Sequence, residues 1–585
     1  MTKLHAPRGA RLASGIGRIL GRSQGVDADA RFTCAECGYV QDVLGARFCR
    51  RCGMPRPQAA PTADAVSVAT ATDIGVARSS DFILPRPKRD DPPSVPSARE
   101  ATHTPKRPNR VLKGHASQLA ELPEEMSAKQ TITHEQVVVL RIAAVALILF
   151  AIVNGVAAAI AVIALITSLY LGALVFRARI FWRALHDPTD VTISDDEARG
   201  IWDHTLPTYT VLVPAYGEPQ VIGQLIRSIA ALEYPPERLD VKLLLEADDT
   251  ATIQAAEAAK PGDHFEIVRV PYSEPRTKPK ACNYGLRHAR GKLLTIYDAE
   301  DQPEPLQLRR AVAAFRRLDE TYACLQAKLV YHNPGQNNIT RWFTTEYAMW
   351  FSQLLPGLIR DSAPLPLGGT SNHFRRDVLD RLGGWDPYNV TEDADLGIRL
   401  HRAGYRTGVL DSTTYEEANS DFVNWVKQRS RWYKGYMQTW LVHMRHPRQL
   451  IRELGIGGFI GFNLFVGGTP FLALLNPVFW MLTIAWFIGH LGFIQNLFPW
   501  WLYYVGLFCL VGGNVLFVYT NMIAARQHGN PALVIAAVFS PIYWVMMSIA
   551  AVKALAQLIT APSFWEKTTH GLDQHAAAGG QDAVA

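Results

Sequence analysis

The sequence predicts an α/β domain with a parallel sheet, inserted between membrane-spanning helices and preceded by a small zinc ribbon. Three observations predict this fold class. Short apolar strands alternate with helical patterns over residues 200–445, apolar runs without charges lie on both sides of that stretch, and four N-terminal cysteines form two Cys-x-x-Cys pairs. The chain of 585 residues is long enough for three or four such units.

Composition and charge exclude several classes of protein. Hydrophobic residues make up 48% of the chain and charged residues 19%, which suits a soluble domain joined to membrane segments and excludes a wholly disordered or collagen-like chain. The net charge is +6, and residues 1–25 carry five Lys or Arg and no acidic residue. Because this charge lies on an extended arm and not on a folded surface, we expect contacts with anionic lipid headgroups and none with nucleic acid.

The cysteine pairs lie within residues 32–53, after the basic arm 1–31. Each pair is followed directly by a glycine, which permits the tight turn of a metal-binding knuckle. A unit of this size cannot bury an adequate core, so a structural zinc ion would hold it folded. The alternative is four unrelated thiols. The predicted zinc ligands are Cys34, Cys37, Cys49 and Cys52.

Residues 54–130 are rich in Pro, Ala, Ser and Thr and are predicted to form a disordered linker. Residues 137–176 then predict a transmembrane hairpin. The stretch 142–176 carries no charge, is interrupted at Asn154-Gly155 and is flanked by Arg141 and Arg177. Because positive flanks favour the cytosolic side, both ends of the hairpin are expected there.

Residues 454–557 contain four largely apolar runs, predicted to form four transmembrane or interfacial helices and to bring the total to six spans. Breaks are expected at Asn476-Pro477, around Gln495-Asn496 and at Gly529-Asn530-Pro531. Tyr543 and Trp544 lie within the last run and could face a pore. Residues 558–585 are expected to form a cytosolic tail.

The predicted domain at 200–445 begins with strands at 209–213, 241–245, 266–270 and 292–297, separated by helical patterns. Nearly continuous apolar strands of this kind are typical of a parallel sheet covered on both faces, which binds ligands at the carboxyl ends of its strands. Acidic residues follow three of these strands: Glu218, the pair Asp248 and Asp249, and the group Asp298, Glu300 and Asp301.

Clustered carboxylates repel one another unless a cation lies between them, and a hard divalent cation prefers oxygen ligands. Asp298 and Glu300, separated by one residue, can reach one Mg²⁺ or Mn²⁺ ion, which then takes the oxygens of a diphosphate. This predicts a nucleoside diphosphate donor. A lone Asp-x-Glu is usually a solvated turn, but its place in series with Asp248 and Asp249 favours a site.

Two further motifs suggest chemistry. Thr391-Glu392-Asp393 opens a helical stretch at 396–403, where Asp393 could accept a proton from a hydroxyl nucleophile. The alternative is an ordinary N-cap at Thr391. Gln428, Arg431 and Trp432 are spaced i, i+3 and i+4 and therefore share a helix face, whereas Arg429 points elsewhere. A guanidinium and an indole on one face suit a phosphate and a sugar; the alternative is an interfacial amphipathic helix.

In this order the motifs resemble the processive inverting β-glycosyltransferases of glycosyltransferase family 2, the group of bacterial cellulose, curdlan and hyaluronan synthases. The resemblance covers about 205–445 and implies the GT-A nucleotide-sugar-binding fold. The arrangement of two spans, catalytic domain and further spans looks like hyaluronan synthase, and Trp565-Glu566-Lys567-Thr568 looks like the tails of bacterial members.

The resemblance also implies roles for individual residues. Asp393, beside Glu392, is the general base, Gln428 and Arg431 border the diphosphate and the acceptor, and Trp432 stacks under the acceptor sugar. Residues 368–372 occupy the place of an acceptor-side loop. The nucleotide and its metal ion are expected to involve Glu218, Asp248, Asp249, Lys280, Asn283, Asp298 and Glu300.

Two departures from the family pattern bear on these expectations. Glu300 stands where most relatives have Asp, so Asp301 is a competing metal ligand. No cyclic-di-GMP receptor is expected after the last spans, so regulation would come through the zinc ribbon or a separate regulatory or export protein.

The predicted function is synthesis, with possible translocation, of a β-linked polysaccharide from a UDP-hexose at a bacterial plasma membrane, with the catalytic domain cytosolic. The alternatives are a non-processive lipid glycosyltransferase and a catalytically inactive scaffold that acts through its zinc ribbon.

Overall fold

The structure, a computed structural model, describes residues 31–33, 40–42, 120–186, 189–527 and 529–568. It contains two compact units, Met1–Glu100 and Ala101–Ala585. In the first, strands β1 (Arg31–Thr33) and β2 (Val40–Asp42) pair antiparallel. The four predicted zinc ligands, residues 1–30 of the basic arm and residues 54–119 of the predicted linker lie outside the described residues.

The second unit contains an eight-stranded sheet. In chain order its strands are β3 (Tyr209–Ala215), β4 (Leu239–Glu246), β5 (Phe265–Val270), β6 (Leu293–Ile296), β7 (Gln302–Pro303), β8 (Tyr322–Tyr331), β9 (Asn372–Arg375) and β10 (Arg406–Glu416). Their spatial order is β5-β4-β3-β6-β9-β8-β10-β7.

The four strands β5, β4, β3 and β6 are parallel, as predicted. The prediction of a wholly parallel sheet is nevertheless wrong, because β9 pairs antiparallel with both β6 and β8, and β7 is antiparallel to β10. Strand β9 has four residues, Asn-His-Phe-Arg, and lacks the apolar run on which the four predicted strands depend. It places the loop 368–371 directly beside the end of β6.

Helices cover both faces of the sheet: α3 (Asp195–Arg199), α4 (Ile222–Ala230), α5 (Thr250–Ala258), α6 (Lys278–His288), α7 (Gln307–Arg317), α8 (Asn338–Met349), α9 (Leu355–Arg360), α10 (Arg376–Arg381), α11 (Glu392–Arg402) and α12 (Phe422–His443). Successive residues of β3 alternate between the two buried faces: Val211 and Val213 join one apolar cluster, while Leu212 joins the other with Leu244.

Apolar helices flank this domain: α1 (His134–Val153), α2 (Gly155–His186), α13 (Pro447–Phe462), α14 (Gly468–Gly489), α15 (Gly492–Leu497), α16 (Trp500–Gln527), α17 (Pro531–Val538) and α18 (Ser540–Thr560). The predicted hairpin break is confirmed, since Asn154 separates α1 from α2 with a φ of −153°.

Within the described residues, five helical stretches are long and apolar enough to cross a membrane, against six predicted spans. The expected break at Asn476-Pro477 is wrong, because Pro477 lies inside α14, and the segment 447–489 forms one helical stretch. This stretch is bent at Gly455, which has a φ of +70°.

The end of the predicted linker is also corrected. Residues 120–130 pack on the domain, where Asp386 accepts hydrogen bonds from the Ser127 hydroxyl at 2.9 Å and from the Ala128 N–H. Arg445 donates to the carbonyl groups of Glu124 and Glu125 at 3.1 and 2.8 Å. A short polar segment is therefore ordered by tertiary hydrogen bonds that local composition does not reveal.

Candidate active site

The predicted motifs converge on one cavity of about 1130 Å³ at the carboxyl ends of β3, β4 and β6. Its lining includes eight of the predicted site residues: Glu218, Asp298, Glu300, Glu392, Asp393, Gln428, Arg431 and Trp432. Four separated stretches of chain thus contribute to one site, as expected for the crevice at the strand ends of an α/β sheet.

Four carboxyl groups cluster where β6 ends. Asp301 is 1% exposed and accepts hydrogen bonds from the Asp298 N–H at 2.7 Å and from the Thr370 hydroxyl, while its Oδ1 has no hydrogen-bond partner. Burial, with the charges of Asp298 and Glu300, raises the pKa of Asp301 well above its usual value. Burial and the same group of carboxylates also raise the pKa of Glu416, which sequence reasoning missed.

Lys278, another residue that sequence reasoning missed, connects this group to the loop after α9. Its Nζ contacts the Asp298 carboxylate and donates to the Gly369 carbonyl at 2.8 Å. Burial by itself would lower the pKa of Lys278, but Asp298 and Glu392 raise it above its usual value. The signal was its position in the first turn of α6, two residues before the predicted Lys280.

The chemistry of this cluster fits a divalent cation. Its donors are carboxylate oxygens, which Mg²⁺ and Mn²⁺ prefer, and the mutual repulsion of Asp298, Glu300, Asp301 and Glu416 is what such a cation would relieve. Within the described ranges, no three His, Cys, Asp or Glu side chains are already gathered as a metal site. Asp298 is instead paired with Lys278.

Asp393 lies in the first turn of α11, opposite this cluster. Thr391 is the N-cap residue of this helix and acidic residues occupy its first turn, as the alternative interpretation has it, but the Thr391 side chain makes no capping hydrogen bond. A Cβ atom placed on Gly369 would lie 3.3 Å from Asp393 Oδ2 and 3.8 Å from Lys278 Nζ. Since Lys278 also contacts Asp298, the carboxylates of Asp298 and Asp393 face one small volume.

The protonation of the adjacent pair distinguishes Asp393 from Glu392. Burial and the neighbouring Asp393 raise the pKa of Glu392 to about 8. Burial also raises the pKa of Asp393, although the Ala394 N–H, Lys278 and Arg431 oppose this effect. Burial and Asp393 thus favour the protonated form of Glu392, whereas the Ala394 N–H, Lys278 and Arg431 favour the charged form of Asp393, which a base requires.

Helix α12 presents Gln428, Arg431 and Trp432 to the cavity, as their spacing predicted. Arg429 also reaches the cavity but pairs with Glu346 of α8 at 2.9 Å. The Trp432 ring stacks on Tyr347 with a centroid distance of 6.2 Å and an interplanar angle of 27°. This packing holds the indole at the border of the cavity.

Arg431 faces Glu392, Asp393 and Asp298 across the cleft. Its Nε has no hydrogen-bond partner, and its guanidinium lies 4.6 Å from the ring centroid of Trp565. In the described part of the chain no carboxylate forms a salt bridge with it. This cation is therefore available for an anionic ligand.

The remaining predicted nucleotide contacts are not among the residues that line the cavity. Asp249 caps α5 through the Thr252 N–H at 3.2 Å, and Asp248 pairs with Arg276, which itself lines the cavity. Lys280 pairs with Glu246 at 2.9 Å.

Asn283 makes hydrogen bonds of 2.7 and 2.9 Å with the carbonyl and the N–H of Trp385. It holds in place the loop that leads to α11. The sequence motifs therefore locate Asp248, Asp249, Lys280 and Asn283 near the site. They do not distinguish residues that line the cavity from residues that support its walls.

The segment that follows α18 returns to the cleft. Trp565, Lys567 and Thr568 line the cavity, and Lys567 donates to the Gly217 carbonyl at 3.1 Å. Lys434 of α12 holds this segment by donating to the Phe564 carbonyl at 2.7 Å. The predicted tail from residue 558 thus begins inside α18 and then forms part of the site.

The cavity continues away from the carboxylates between α2, α14, α16 and α18. On α14 the lining runs from Thr469 to Phe487, and on α16 from Tyr503 to Asn521. Tyr543 and Trp544 of α18 also line it, as anticipated. One cavity therefore joins a charged cleft to the space between apolar helices.

Comparison with known proteins agrees with this geometry. Residues 207–435 match the family model described as Glycosyltransferase like family 2. The chain thus contains a glycosyltransferase family 2 domain, and the family resemblance is confirmed for that domain. The processive synthase subtype stays a prediction.

The relatives differ in their named activities. The probable glycosyltransferase YdaM of Bacillus subtilis is 28% identical over 235 residues, covering 39% of this chain and 55% of the relative. The beta-monoglucosyldiacylglycerol synthase of Trichormus variabilis is 30% identical over 242 residues, covering 40% and 50%. The chain spans about half the length of the curated relatives it matches.

Among solved structures, a mannosyltransferase of Pyrobaculum calidifontis in complex with GDP-Man and Mn²⁺ is 21% identical. The alignment covers 66% of this chain and 99% of that chain, with a TM-score of 0.43.

Proposed function

We propose that this protein is an inverting glycosyltransferase that moves a sugar from a nucleoside diphosphate, UDP being the first candidate, to a hydroxyl group of an acceptor held at the membrane. One observation carries the proposal: Asp393, Arg431 and Asp298 face a single cleft, and that cleft opens into the cavity between the apolar helices. Donor and acceptor could then meet at Asp393.

The proposed reaction is a single in-line displacement. Asp393 accepts the proton of the acceptor hydroxyl while that oxygen forms a bond to the anomeric carbon. The bond from that carbon to the diphosphate breaks, and Arg431 stabilises the negative charge that develops on the leaving group. Attack from the face opposite the leaving group converts an α-linked donor into a β-linked product.

On the donor side, Asp298 and Glu300 would hold Mg²⁺ or Mn²⁺, which when bound neutralises diphosphate charge. Lys278 would move from Asp298 toward the diphosphate. Glu218 and the ion pair of Asp248 with Arg276 would border the nucleoside. Asp249, Lys280 and Asn283 would keep the surrounding loops in position. Gln428 and Trp432 would lie on the acceptor side, where an indole can pack on a sugar.

For the acceptor, we favour a lipid. The part of the cavity between α14 and α16 is walled largely by apolar side chains, which suits hydrocarbon. Proteins of similar sequence include two named beta-monoglucosyldiacylglycerol synthase. The second candidate is the β-linked polysaccharide, because the cavity continues along both helices as a translocation path would. An inactive scaffold is disfavoured by the intact Asp393, Gln428, Arg431 and Trp432.

We place the chain in the bacterial plasma membrane with its catalytic domain in the cytosol, in accord with the five apolar helices. The predicted structural zinc at Cys34, Cys37, Cys49 and Cys52 would fold a docking module for a regulatory or export partner. Zinc content of the purified chain and of Cys34→Ser tests this assignment.

The experiment is transfer from a panel of labelled nucleotide sugars by the purified chain in lipid vesicles, followed by chromatography. A glycolipid migrates in organic solvent, whereas a polymer stays at the origin. We expect migrating product with at least one donor, dependent on Mg²⁺ or Mn²⁺. Absence of transfer from every donor would refute the proposal.

A further inference from the structure

Arg177 of α2 lies where the charged cleft meets the apolar cavity, and it lines that cavity. Its Nη2 donates to the Thr469 hydroxyl at 3.2 Å. The guanidinium also lies 5.9 Å from the ring centroid of Phe465 and 5.2 Å from that of Phe517. Nothing in the proposed reaction uses this cation.

Arg177 has no anionic partner among the residues that the structure describes. The titratable groups that face it are Glu346, Tyr433 and Tyr436. Glu346 is already engaged: it receives two hydrogen bonds from Arg429 and one of 2.8 Å from the Tyr543 hydroxyl. The only nearby carboxylate in these described elements is thus committed to another cation.

A guanidinium that lies between apolar helices without a counter-ion is costly to keep. Such residues usually face a binding or transport path and pair with its ligand. Thr469 and the two rings hold the group but do not neutralise it. The missing partner is therefore expected to be an anion that enters the cavity.

The position of Arg177 relative to the base restricts what that anion can be. Arg177, Tyr436 and Asp393 line the same cavity, and the Tyr436 hydroxyl interacts electrostatically with the other two residues. An anion at Arg177 would therefore share the cavity with the reacting hydroxyl and could belong to the same molecule. A phosphate separated from a hydroxyl by a few bonds meets this condition.

On the other side of Arg177 the cavity suits hydrocarbon. The lining residues of α14 and α16 include no charged side chain. Of their polar groups, Thr483 donates to the Phe479 carbonyl at 2.7 Å, Asn514 donates to the Leu510 carbonyl, and Asn476 accepts from Tyr170. These three groups have partners in the protein, whereas Oδ1 of Asn521, another lining residue of α16, has none. The wall beyond Arg177 is otherwise largely apolar.

We propose that the acceptor is a phosphate-bearing lipid with a hydroxyl group beyond its phosphate, and that Arg177 binds this phosphate. The hydrocarbon occupies the cavity between α14 and α16, and the hydroxyl reaches Asp393. The inference rests on the proposed function and names its acceptor class. The lipid phosphate is not transferred: the hydroxyl loses its proton to Asp393 and becomes glycosylated, and the nucleoside diphosphate leaves.

The binding test uses the full chain in detergent, titrated with three short-chain lipids and followed by native mass spectrometry. A phosphatidylglycerol and a polyprenyl diphosphate sugar carry both phosphate and hydroxyl, whereas a diacylglycerol carries the hydroxyl alone. We expect retention of one or both phosphate lipids, and the one retained identifies the source. The diacylglycerol is expected to bind at least about tenfold more weakly, as for loss of a buried charge contact.

Arg177→Gln is expected to lower the affinity for the phosphate lipid by about tenfold or more, and Arg177→Lys by less. The matched control is Arg179→Gln, two residues along α2, whose side chain is 62% exposed and pairs with Asp361 outside the cavity. Equal binding of diacylglycerol by the unmodified chain, or unchanged phosphate-lipid affinity in Arg177→Gln, would overturn the inference.

A parallel transfer assay with the same three lipids distinguishes a failure of the inferred acceptor class from a failure of the proposed glycosyltransferase reaction. Transfer to diacylglycerol that exceeds transfer to both phosphate lipids would overturn the acceptor class while leaving the glycosyltransferase intact. Phosphate lipid retained through Arg177 without transfer from any nucleotide sugar would support the binding site and refute the proposed reaction.

Discussion

The cleft at the strand ends and the cavity between the helices form one continuous space, but they differ in the charge and polarity of the side chains that line them. The cleft contains Asp298, Glu300, Asp393 and Arg431, whereas the walls of α14 and α16 contribute no charged side chain to the cavity. Charges that repel in the cleft are expected to be neutralised by a donor and its metal ion. The cavity offers only area for apolar burial. Sugar transfer is thus assigned to the cleft and acceptor binding to the cavity. Substitutions in one region should affect one of these two functions without the other.

The largest effect is expected from Asp393→Asn, which removes the base and keeps the shape. Transfer should fall by about 10²- to 10⁴-fold, as for loss of a general base, while donor affinity changes little. In the unmodified enzyme the rate should fall as the pH drops through the pKa of Asp393, which burial raises above its usual value. The transfer rate is measured with labelled donor, and the donor affinity is measured by calorimetry.

Asp377→Asn, at an exposed carboxylate of α10 that pairs with Arg381, is the control and should transfer normally. Retained turnover in Asp393→Asn would remove the assignment of the base.

The next largest effect is expected from the buried ion pairs of α11 beneath the cleft, and it should appear in the free energy of unfolding. Asp395 is fully buried and binds Arg399 at 2.7 Å and His443 at 2.9 Å. Asp395→Asn leaves Arg399 buried without its counter-ion, which should cost about 3–5 kcal/mol of unfolding free energy. Asp377→Asn should cost less than about 1 kcal/mol. Thermal unfolding in detergent, followed by fluorescence, compares the two variants, and equal melting temperatures would contradict the assignment.

The same network predicts a loss of stability in acid. Burial would raise the pKa of Asp395, but Arg399 and His443 hold it below its usual value, and burial lowers the pKa of His443 despite Asp395. For both groups the folded-state pKa is depressed, so the stabilisation is complete above the unfolded-state values. It is lost as the pH falls, first below about 6.5 for His443 and then below about 3.9 for Asp395.

A smaller effect is expected from filling the cavity. Gly506 of α16 lines it, and a Cβ atom at this position would meet nothing within 4 Å. Gly506→Phe should therefore weaken acceptor use several-fold by occupying apolar volume, without changing the KM for the donor. Gly457→Phe is the matched control, because Gly457 also has open space around its Cβ position but does not line the cavity. A changed donor KM in Gly506→Phe alone would contradict the division of roles.

The smallest effect is expected from Glu416→Gln. Burial and the neighbouring Asp301, Glu300 and Asp298 raise the pKa of Glu416 well above its usual value. Because these effects favour the neutral form of Glu416, an amide should replace it well. Transfer should stay within about twofold, whereas Asp298→Asn should lose most activity. A large loss in Glu416→Gln, with altered dependence on Mn²⁺, would instead identify Glu416 as a cation ligand.

The sequence predicted the parts of this site that depend on local pattern. Spacing along α12 placed Gln428, Arg431 and Trp432 on one face, and alternating strands and helices placed Asp298 and Glu218 at strand ends. Lys278, Glu416 and Arg177 were missed because their significance depends on tertiary neighbours. Each is an ordinary charged residue until the fold brings it beside Asp298, the cleft carboxylates or the apolar cavity.

The errors in the predicted fold have similar causes. Strand β9 lacks an apolar run and is stabilised by pairing with β6 and β8, so its antiparallel direction cannot be inferred from composition. Pro477 was interpreted as a helix break, yet it lies within α14. Prolines are tolerated in apolar helices, where the surrounding helices and local adjustments of the backbone can satisfy the freed groups.

The central claim is that cleft and cavity act as one site, and an experimental structure of the full chain in lipid, with a nucleoside diphosphate and Mn²⁺ added, tests it most directly. The account predicts a diphosphate between Asp298 and Arg431, and a lipid in the cavity between α14 and α16 with its polar end directed toward Asp393. A nucleotide bound away from those residues, or a cavity closed off from Asp393, would contradict it.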